Sequence, residues 1–380
     1  MSKIEPIGKY IQLADERNTD LYISKLLGVT ADKRYIPSVA NINGTDLSKY
    51  KVIHQGQFAC NLMHVSRDGV LPVAMYKGEP AIVSPAYPVF EVKNENELMP
   101  EYLHLYLSRP EFDREAVFYA MRGIRGSLDW EDFIEMKMPI PDINEQRKIV
   151  AEYQTIEKRI ENNNCLIRAL EQTAQNIYHH MFVENIDPEN LPDGWRLETV
   201  KSFCKKITSG GTPLRTENSY WSHKDYRWLK TGEIKNNVII DTEEYISEDG
   251  LQNSSAKIIP AGSISFAMYC ADGVTGGQVA YLDCDTSTNQ ACCNMICKCK
   301  EDAAYLFFYF INRQIELKRI ANGAAQANLS LTIVGAQPII YFEDKSIVKE
   351  LVQILDYIVK ISHENFNLQR IKHLLLTKLA

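Results

Sequence analysis

"PDINEQRKIVAEYQTIEKRI", residues Pro141–Ile160, is the stretch whose reading decides the fold. Pro139 and Pro141 hold the approach extended, because a proline ring crowds a helical conformation in the residue before it. Asp142-Ile143-Asn144-Glu145 then has the spacing of a capping box. From there apolar residues fall at Ile149, Tyr153, Ile156, Ile160, Ile167, Leu170, Ala174, Ile177 and Met181, in alternating steps of three and four, with Asn163 filling the vacant position. Heptads sustained over five turns predict coiled-coil packing against another helix. An amphipathic helix lying on a domain surface is the plainer alternative.

A second helix of this kind occurs in the same chain. "FEDKSIVKELVQILDYIVKI", Phe342–Ile361, carries the register at Ile347, Leu351, Ile354, Ile358 and Ile361, continued by Leu368, Leu375 and Leu379. Ile149 and Ile347 are 198 residues apart, and Ile156 with Ile354, Ile160 with Ile358 and Leu170 with Leu368 keep that offset. Asp344 is the expected cap of the second helix. The segments upstream also echo one another. "MRGIRGSLDWEDFIEMKMPI" and "ANGAAQANLSLTIVGAQPII" each run from a Gly-rich loop through Ser127-Leu128 or Asn328-Leu329 to an apolar strand. Further upstream, "MPEYLHLYLSRPEF" and "AAYLFFYFINRQIELKRI" read as helices, and "PAIVSPAYPVFEV" and "GSISFAMYC" as short strands. The chain is therefore expected to be a duplication in the α/β class, of the mixed α+β kind. Two globular domains, residues 1–143 and 185–343, are each followed by one long helix, residues 144–184 and 344–380. The break between halves is "ENIDPENLPDGWRLETV", where Pro188, Pro192 and Asp193-Gly194 turn the chain.

Composition bounds the function. A chain of 380 residues exceeds one ordinary core, and 45% hydrophobic with 24% charged residues describes a folded protein. No apolar run approaches the roughly 18–20 residues of a membrane span, and the start has no signal-peptide core. Nine cysteines without an export signal are expected to be reduced thiols in a cytoplasm. The net charge of −7 counts mildly against a nucleic-acid partner, although a basic groove can coexist with acidic faces.

Catalytic signatures are missing. "TSGGTP" and "ADGVTGGQV" contain glycines but not the spacing of a nucleotide-binding loop. Cys292, Cys293, Cys297 and Cys299 lie too close together for paired zinc ligands, so "ACCNMICKC" reads as one strand with cysteine as a small hydrophobe. No nuclease carboxylate set or Ser/His/Asp arrangement can be assigned. What remains is hydrogen-bonding surface of the kind that meets phosphates and base edges. The candidates are Asn61, Arg67, Arg122 and Arg125 in the first half, and Ser209, Thr212, Arg215, Lys230, Tyr269 and Gln326 in the second.

The chain resembles the specificity subunits of type I restriction-modification systems. Met138-Pro139-Ile140-Pro141 with Glu145-Gln146-Arg147-Lys148-Ile149-Val150 matches the family's strand end and helix start. Leu191-Pro192, Gly194-Trp195, "SGGTP", Tyr220-Trp221, "WLKTGEI" and Asn289-Gln290 resemble, in order, a target-recognition domain. The first domain lacks the Gly-Trp opening, and "EDKSIV" stands where the family usually shows "EQ".

The resemblance implies two target-recognition domains, each reading half of a split site in double-stranded DNA. The two long helices would pair as an antiparallel coiled coil and set the gap. A helix of about 39 residues is roughly 58 Å long, longer than one DNA turn of about 34 Å. It also implies a non-catalytic chain that recruits two methyltransferase subunits and motor-nuclease subunits. S-adenosylmethionine, ATP and Mg would then belong to those partners, with no cofactor or metal in this chain and no membrane association. The rival reading is a protein-binding scaffold of two adaptor domains on a coiled-coil spacer, and a pair of diverged catalytic domains ranks third.

Overall fold

The structure is a computed structural model that describes residues 3–39, 44–63, 65–121, 126–184, 186–269, 276–322 and 328–379. It divides into two compact units, Met1–Arg159 with Leu368–Ala380, and Ile160–Asn367. Each long helix contributes to both units.

Unit 1 is built from short strands: β1 (Lys3–Pro6), β2 (Ile11–Leu13), β3 (Leu27–Val29), β4 (Tyr35–Pro37) and β5 (Lys51–Ile53). They continue with β6 (Phe58–Cys60), β7 (Val73–Met75), β8 (Ala81–Val83) and β9 (Val89–Val92). Then come helices α1 (Pro100–Leu107) and α2 (Pro110–Ala120), strand β10 (Lys137–Ile140) and the long helix α3 (Ile143–His179). The central sheet has the order β2-β9-β6-β7, with two-stranded ribbons β3-β4, β5-β8 and β1-β10 around it. Both α1 and α2 start with proline at the first turn, where its missing N–H leaves no bond unmade. Phe58, Phe90, Phe112 and Phe133 are fully buried and form the aromatic centre of the core.

Unit 2 opens with β11 (Trp195–Thr199), β12 (Lys206–Ser209), β13 (Tyr226–Leu229), β14 (Asn237–Ile239) and β15 (Glu244–Ile246). It continues through β16 (Ile258–Ile259), β17 (Ile264–Ala267), β18 (Val279–Leu282), β19 (Thr286–Thr288) and β20 (Cys292–Ile296). Helix α4 (Lys300–Asn322), strand β21 (Pro338–Phe342) and the long helix α5 (Lys349–Thr377) complete it. Two sheets form here, β12-β20-β17-β18-β14 and β15-β13-β19-β16. Strand β20 covers Cys292–Ile296 of the cysteine-rich stretch, with Cys292 and Cys293 buried as the sequence predicts, whereas Cys297 and Cys299 lie past its end in the turn before α4.

The duplication is visible in the framework. The strand that opens each half pairs antiparallel with the strand before the long helix, β1 with β10 and β11 with β21. Tyrosine hydroxyls from an upstream helix tether that closing strand, two in unit 1 and one in unit 2. Tyr102 and Tyr106 hydroxyls donate to the Pro139 and Lys137 carbonyls at 3.2 and 3.0 Å, and Tyr309 donates to the Pro338 carbonyl at 2.8 Å.

Helix α3 starts where its cap predicts: the Asp142 carboxylate accepts the N–H groups of Asn144 and Glu145 at 3.0 and 3.2 Å. Asp344 accepts from the Ser346 N–H at 2.9 Å and begins a 3-10 turn, Lys345–Val348, that leads into α5. The helices run antiparallel, since partners descend in one as they rise in the other. In unit 1, Lys372 meets Glu157 at 2.8 Å. In unit 2, the Asn163 amide donates to the Asn365 amide oxygen at 2.9 Å, and Asn365 donates to Asn164 at 2.9 Å. Asn365 occupies the position that the heptad pattern of α5 skips between Ile361 and Leu368. The two vacancies in the two apolar seams therefore face one another as a polar layer. Such a layer favours one register and orientation over the alternatives.

Candidate nucleic-acid interface

In unit 2 the strand registers bring distant loops to one end of the sheet. Ser209, at the end of β12, lies opposite Cys293, and Ala267, at the end of β17, lies opposite Cys292. Tyr269 follows β17 at that end, is exposed, and bridges to Asn328. Leu229, just before Lys230, pairs in parallel with Thr288, just before Asn289-Gln290. Ser209 with Thr212, Lys230 and Tyr269 thus come from three sequence segments and reach one edge.

The glycines of "SGGTP" let the loops approach. A Cβ on Gly210 would lie 2.0 Å from the Thr288 carbonyl oxygen, and one on Gly211 2.3 Å from the Ser255 carbonyl carbon. Neither contact tolerates a side chain. The Gly211 N–H donates to the Thr288 carbonyl at 2.8 Å, and the Thr212 hydroxyl donates to the Gln290 side-chain oxygen. Beside this pair, the Arg215 guanidinium stacks 3.7 Å from the Trp221 ring centroid and 4.6 Å from that of Trp228. The buried Trp228 indole donates to the Gly211 carbonyl at 2.9 Å, which links the stack to the glycine turn.

Electrostatics qualify the two basic candidates. Arg215 pairs with Glu244, and Lys230 lies 2.8 Å from Glu243 and 3.0 Å from Glu244. Hydrogen bonds donated to Glu243 and then Glu244 hold the Lys230 ammonium above its usual range. Burial works against the charge of Glu244, yet its bonds to Arg215 and Lys230 keep the carboxyl below the usual range. The edge therefore offers alternating donors and acceptors. Carboxylates of this kind can accept from the cytosine amino group, and Gln can pair both ways with adenine. Gln290, Glu243 and Glu244 are the residues that a search for basic side chains passes over. Asn289-Gln290 stands in the sequence as part of the resemblance, and "TEEY" as adjacent carboxylates.

In unit 1, Asn61 precedes a single-turn helix, Val65–Asp68, and Arg67 lies within it. The Asn61 side chain accepts from the Met63 N–H at 3.1 Å, and Arg67 pairs with its neighbour Asp68 at 2.7 Å. The Ser66 hydroxyl donates to the Gly126 carbonyl at 3.1 Å, and the Leu128 N–H to the Leu62 carbonyl at 2.9 Å. These bonds place Leu62 and Ser66 beside the Gly126–Leu128 segment. Arg122, Arg125 and Gln326 themselves lie outside the described residues.

Comparison with known proteins identifies the plan. The profile described as "Type I restriction modification DNA specificity domain" matches residues 61–172 and 192–373, one stretch in each half. The HindI type I restriction enzyme specificity subunit of Haemophilus influenzae is 24% identical over 378 residues, covering 78% of this chain and 80% of that protein. A putative type I restriction enzyme specificity subunit, MjaX of Methanocaldococcus jannaschii, is 25% identical over 189 residues, 46% of this chain and 44% of its own. Among solved structures, the S subunit of a type I restriction-modification system from M. genitalium shares the fold. Its TM-score is 0.55 at 14% identity, covering 100% of this chain and 96% of that one. With the profile spanning most of both halves, the duplicated chain with its two long helices belongs to the type I restriction-modification DNA specificity family.

Proposed function

We propose that each unit reads one half of a bipartite duplex target, and that α3 and α5 fix the gap between the halves. The chain is the non-catalytic specificity subunit of a type I complex, acting with DNA and partner subunits. The observation that carries the bipartite reading is the duplication itself: the same framework of closing strand, tyrosine tether and long helix occurs twice around differently lined loops. In unit 2 the reading edge comprises Ser209, Thr212, Arg215, Lys230 and Tyr269, joined by Gln290, Glu243 and Glu244, and Gln326 is a further candidate outside the described residues. In unit 1 it comprises Asn61 and Arg67, and Arg122 and Arg125 are further candidates outside the described residues. Two methyltransferase subunits supply S-adenosylmethionine chemistry on a flipped adenine, and motor-nuclease subunits use ATP and Mg to translocate and cleave. The complex works in the cytoplasm. Among the described residues no helix is long and apolar enough to cross a membrane.

The test uses the chain assembled with its methyltransferase subunits and a pool of duplexes randomised in both half-sites and in the gap. Selection should return two short specified blocks at one fixed separation. Affinity for that duplex should fall with salt as condensed counterions are released. A Gln290→Ala complex should lose discrimination at one base pair of one block, on the order of 1–3 kcal/mol. Binding that ignores both sequence and salt would sink the reading.

A further inference from the structure

Behind the reading edge of unit 2 the sheet interior is polar. Ser263, Ser265, Thr286, Ser287, Thr288 and Asn294 are all 1% exposed or less. Strands at this depth normally carry aliphatic residues, and a buried hydroxyl or amide is unfavourable unless it is hydrogen-bonded. Three of these groups form a chain. The Ser265 hydroxyl donates to the Asn294 amide oxygen at 2.9 Å, and the Asn294 amide nitrogen donates to the Thr288 hydroxyl at 2.8 Å.

The chain has a direction. Ser265 and Asn294 are register partners on β17 and β20, in the five-stranded sheet. Thr288 is the last residue of β19, in the other sheet. Asn294 therefore ties one sheet to the other at the point where β19 gives way to Asn289-Gln290. From Thr288 the connection continues to the edge: its carbonyl receives the Gly211 N–H, and the Gly211 carbonyl receives the Trp228 indole on which Arg215 stacks.

We propose that Asn294 is a positioning residue for DNA recognition, fixing from inside the sheet the Thr288–Gln290 turn against the Gly210-Gly211 turn. It touches no DNA and acts through Thr288. A satisfied polar network holds one geometry where a purely aliphatic interior would allow several, which suits a surface that must present donors and acceptors at set positions. The proposal rests on unit 2 being a recognition unit.

The test compares the assembled wild-type complex with Asn294→Leu and Thr288→Val, the second of which keeps the side-chain shape and removes only the hydroxyl. Binding is measured to the selected duplex, to duplexes with one mismatch in either half-site, and to an unrelated duplex across a salt series. Each single mismatch should weaken the wild type by roughly 5- to 150-fold. In both variants the penalty should fall to roughly 5-fold or less in one half-site and stay unchanged in the other. Affinity for the unrelated duplex and its salt dependence should not move. Ser265→Ala, at the far end of the chain, should give a smaller effect in the same half-site. Folded variants with both penalties at wild-type values, or with both lowered equally, overturn the proposal. If Asn294→Leu fails to fold, Thr288→Val decides. A wild-type complex showing no split target would instead overturn the reading of the units themselves.

Discussion

The two junctions between a globular core and its long helix solve one problem with different chemistry. In unit 1 the fully buried Gln146, on the first turn of α3, makes three neutral hydrogen bonds. Its amide oxygen accepts the Met99 N–H at 2.9 Å, and its amide nitrogen donates to the Glu97 and Pro141 carbonyls at 2.8 and 2.9 Å. In unit 2, Lys345 begins the turn before α5 and pairs with the buried Asp302 of α4 at 2.7 Å. Its ammonium also sits 4.7 Å from the Tyr341 and Phe342 ring centroids and 5.3 Å from that of Phe203. The departure from "EQ" to "EDKSIV" thus replaces an amide clamp with an ion pair under aromatic rings. The lesson is that the repeat preserves a tether between helix start and domain helix, and leaves its chemistry free to diverge.

Breaking the amide clamp should have the largest effect. Gln146→Leu leaves one N–H and two carbonyls without their partner beside the buried side chain, and should destabilise unit 1 by about 3 kcal/mol. Thermal unfolding followed by hydrogen exchange should show the loss in unit 1 peptides and not in unit 2. Equal loss in both would mean that the clamps are not independent.

A second contrast sharpens the comparison through pH. His104 stands in "YLHLYL" where the second copy, "YLFFYF", has Phe307. Burial first, and then the positive field of Lys77, push the imidazole down to about 4. A depressed histidine stabilises the fold above its unfolded value of about 6.5, and that contribution is lost as pH falls from there toward 4. Unit 1 should lose on the order of 2 kcal/mol between pH 7 and 4.5, and His104→Phe should remove most of that loss. An acid sensitivity of unit 1 that is identical in the variant would rule out His104 as its source.

The smallest effect belongs to the ion-pair junction. Asp302→Asn keeps a hydrogen-bonding group beside Lys345, which is itself partly solvated, so the expected loss is about 1 kcal/mol. Unlike the Gln146 effect, it should shrink in high salt, which chemical denaturation at two ionic strengths would reveal.

Much of the framework could be read from local signals. The Asp142 and Asp344 caps, the heptad seams and the cysteine strand depend on residues a few positions apart, and the structure places them as the pattern predicts. The proposed interface is legible only in part, for a physical reason. Arg215 and Lys230 attract notice as cations, but their character is set by Glu243 and Glu244, which reach them through the fold. The strut of Ser265, Asn294 and Thr288 is likewise scattered over three strands, and each residue alone looks like an ordinary polar strand position. The facing of Asn163 and Asn365 needed the antiparallel register, which neither helix states by itself.

Leu376 and Leu379, near the end of α5, are buried in the core of unit 1 together with Val150 and Tyr153. The unit that starts first is therefore finished last, after all of residues 160–367 have been made. During synthesis the surface that awaits these leucines stays open while unit 2 emerges and folds. The order of assembly runs against the order of translation, and the closing turns of α5 act as the latch on a domain begun some two hundred residues earlier.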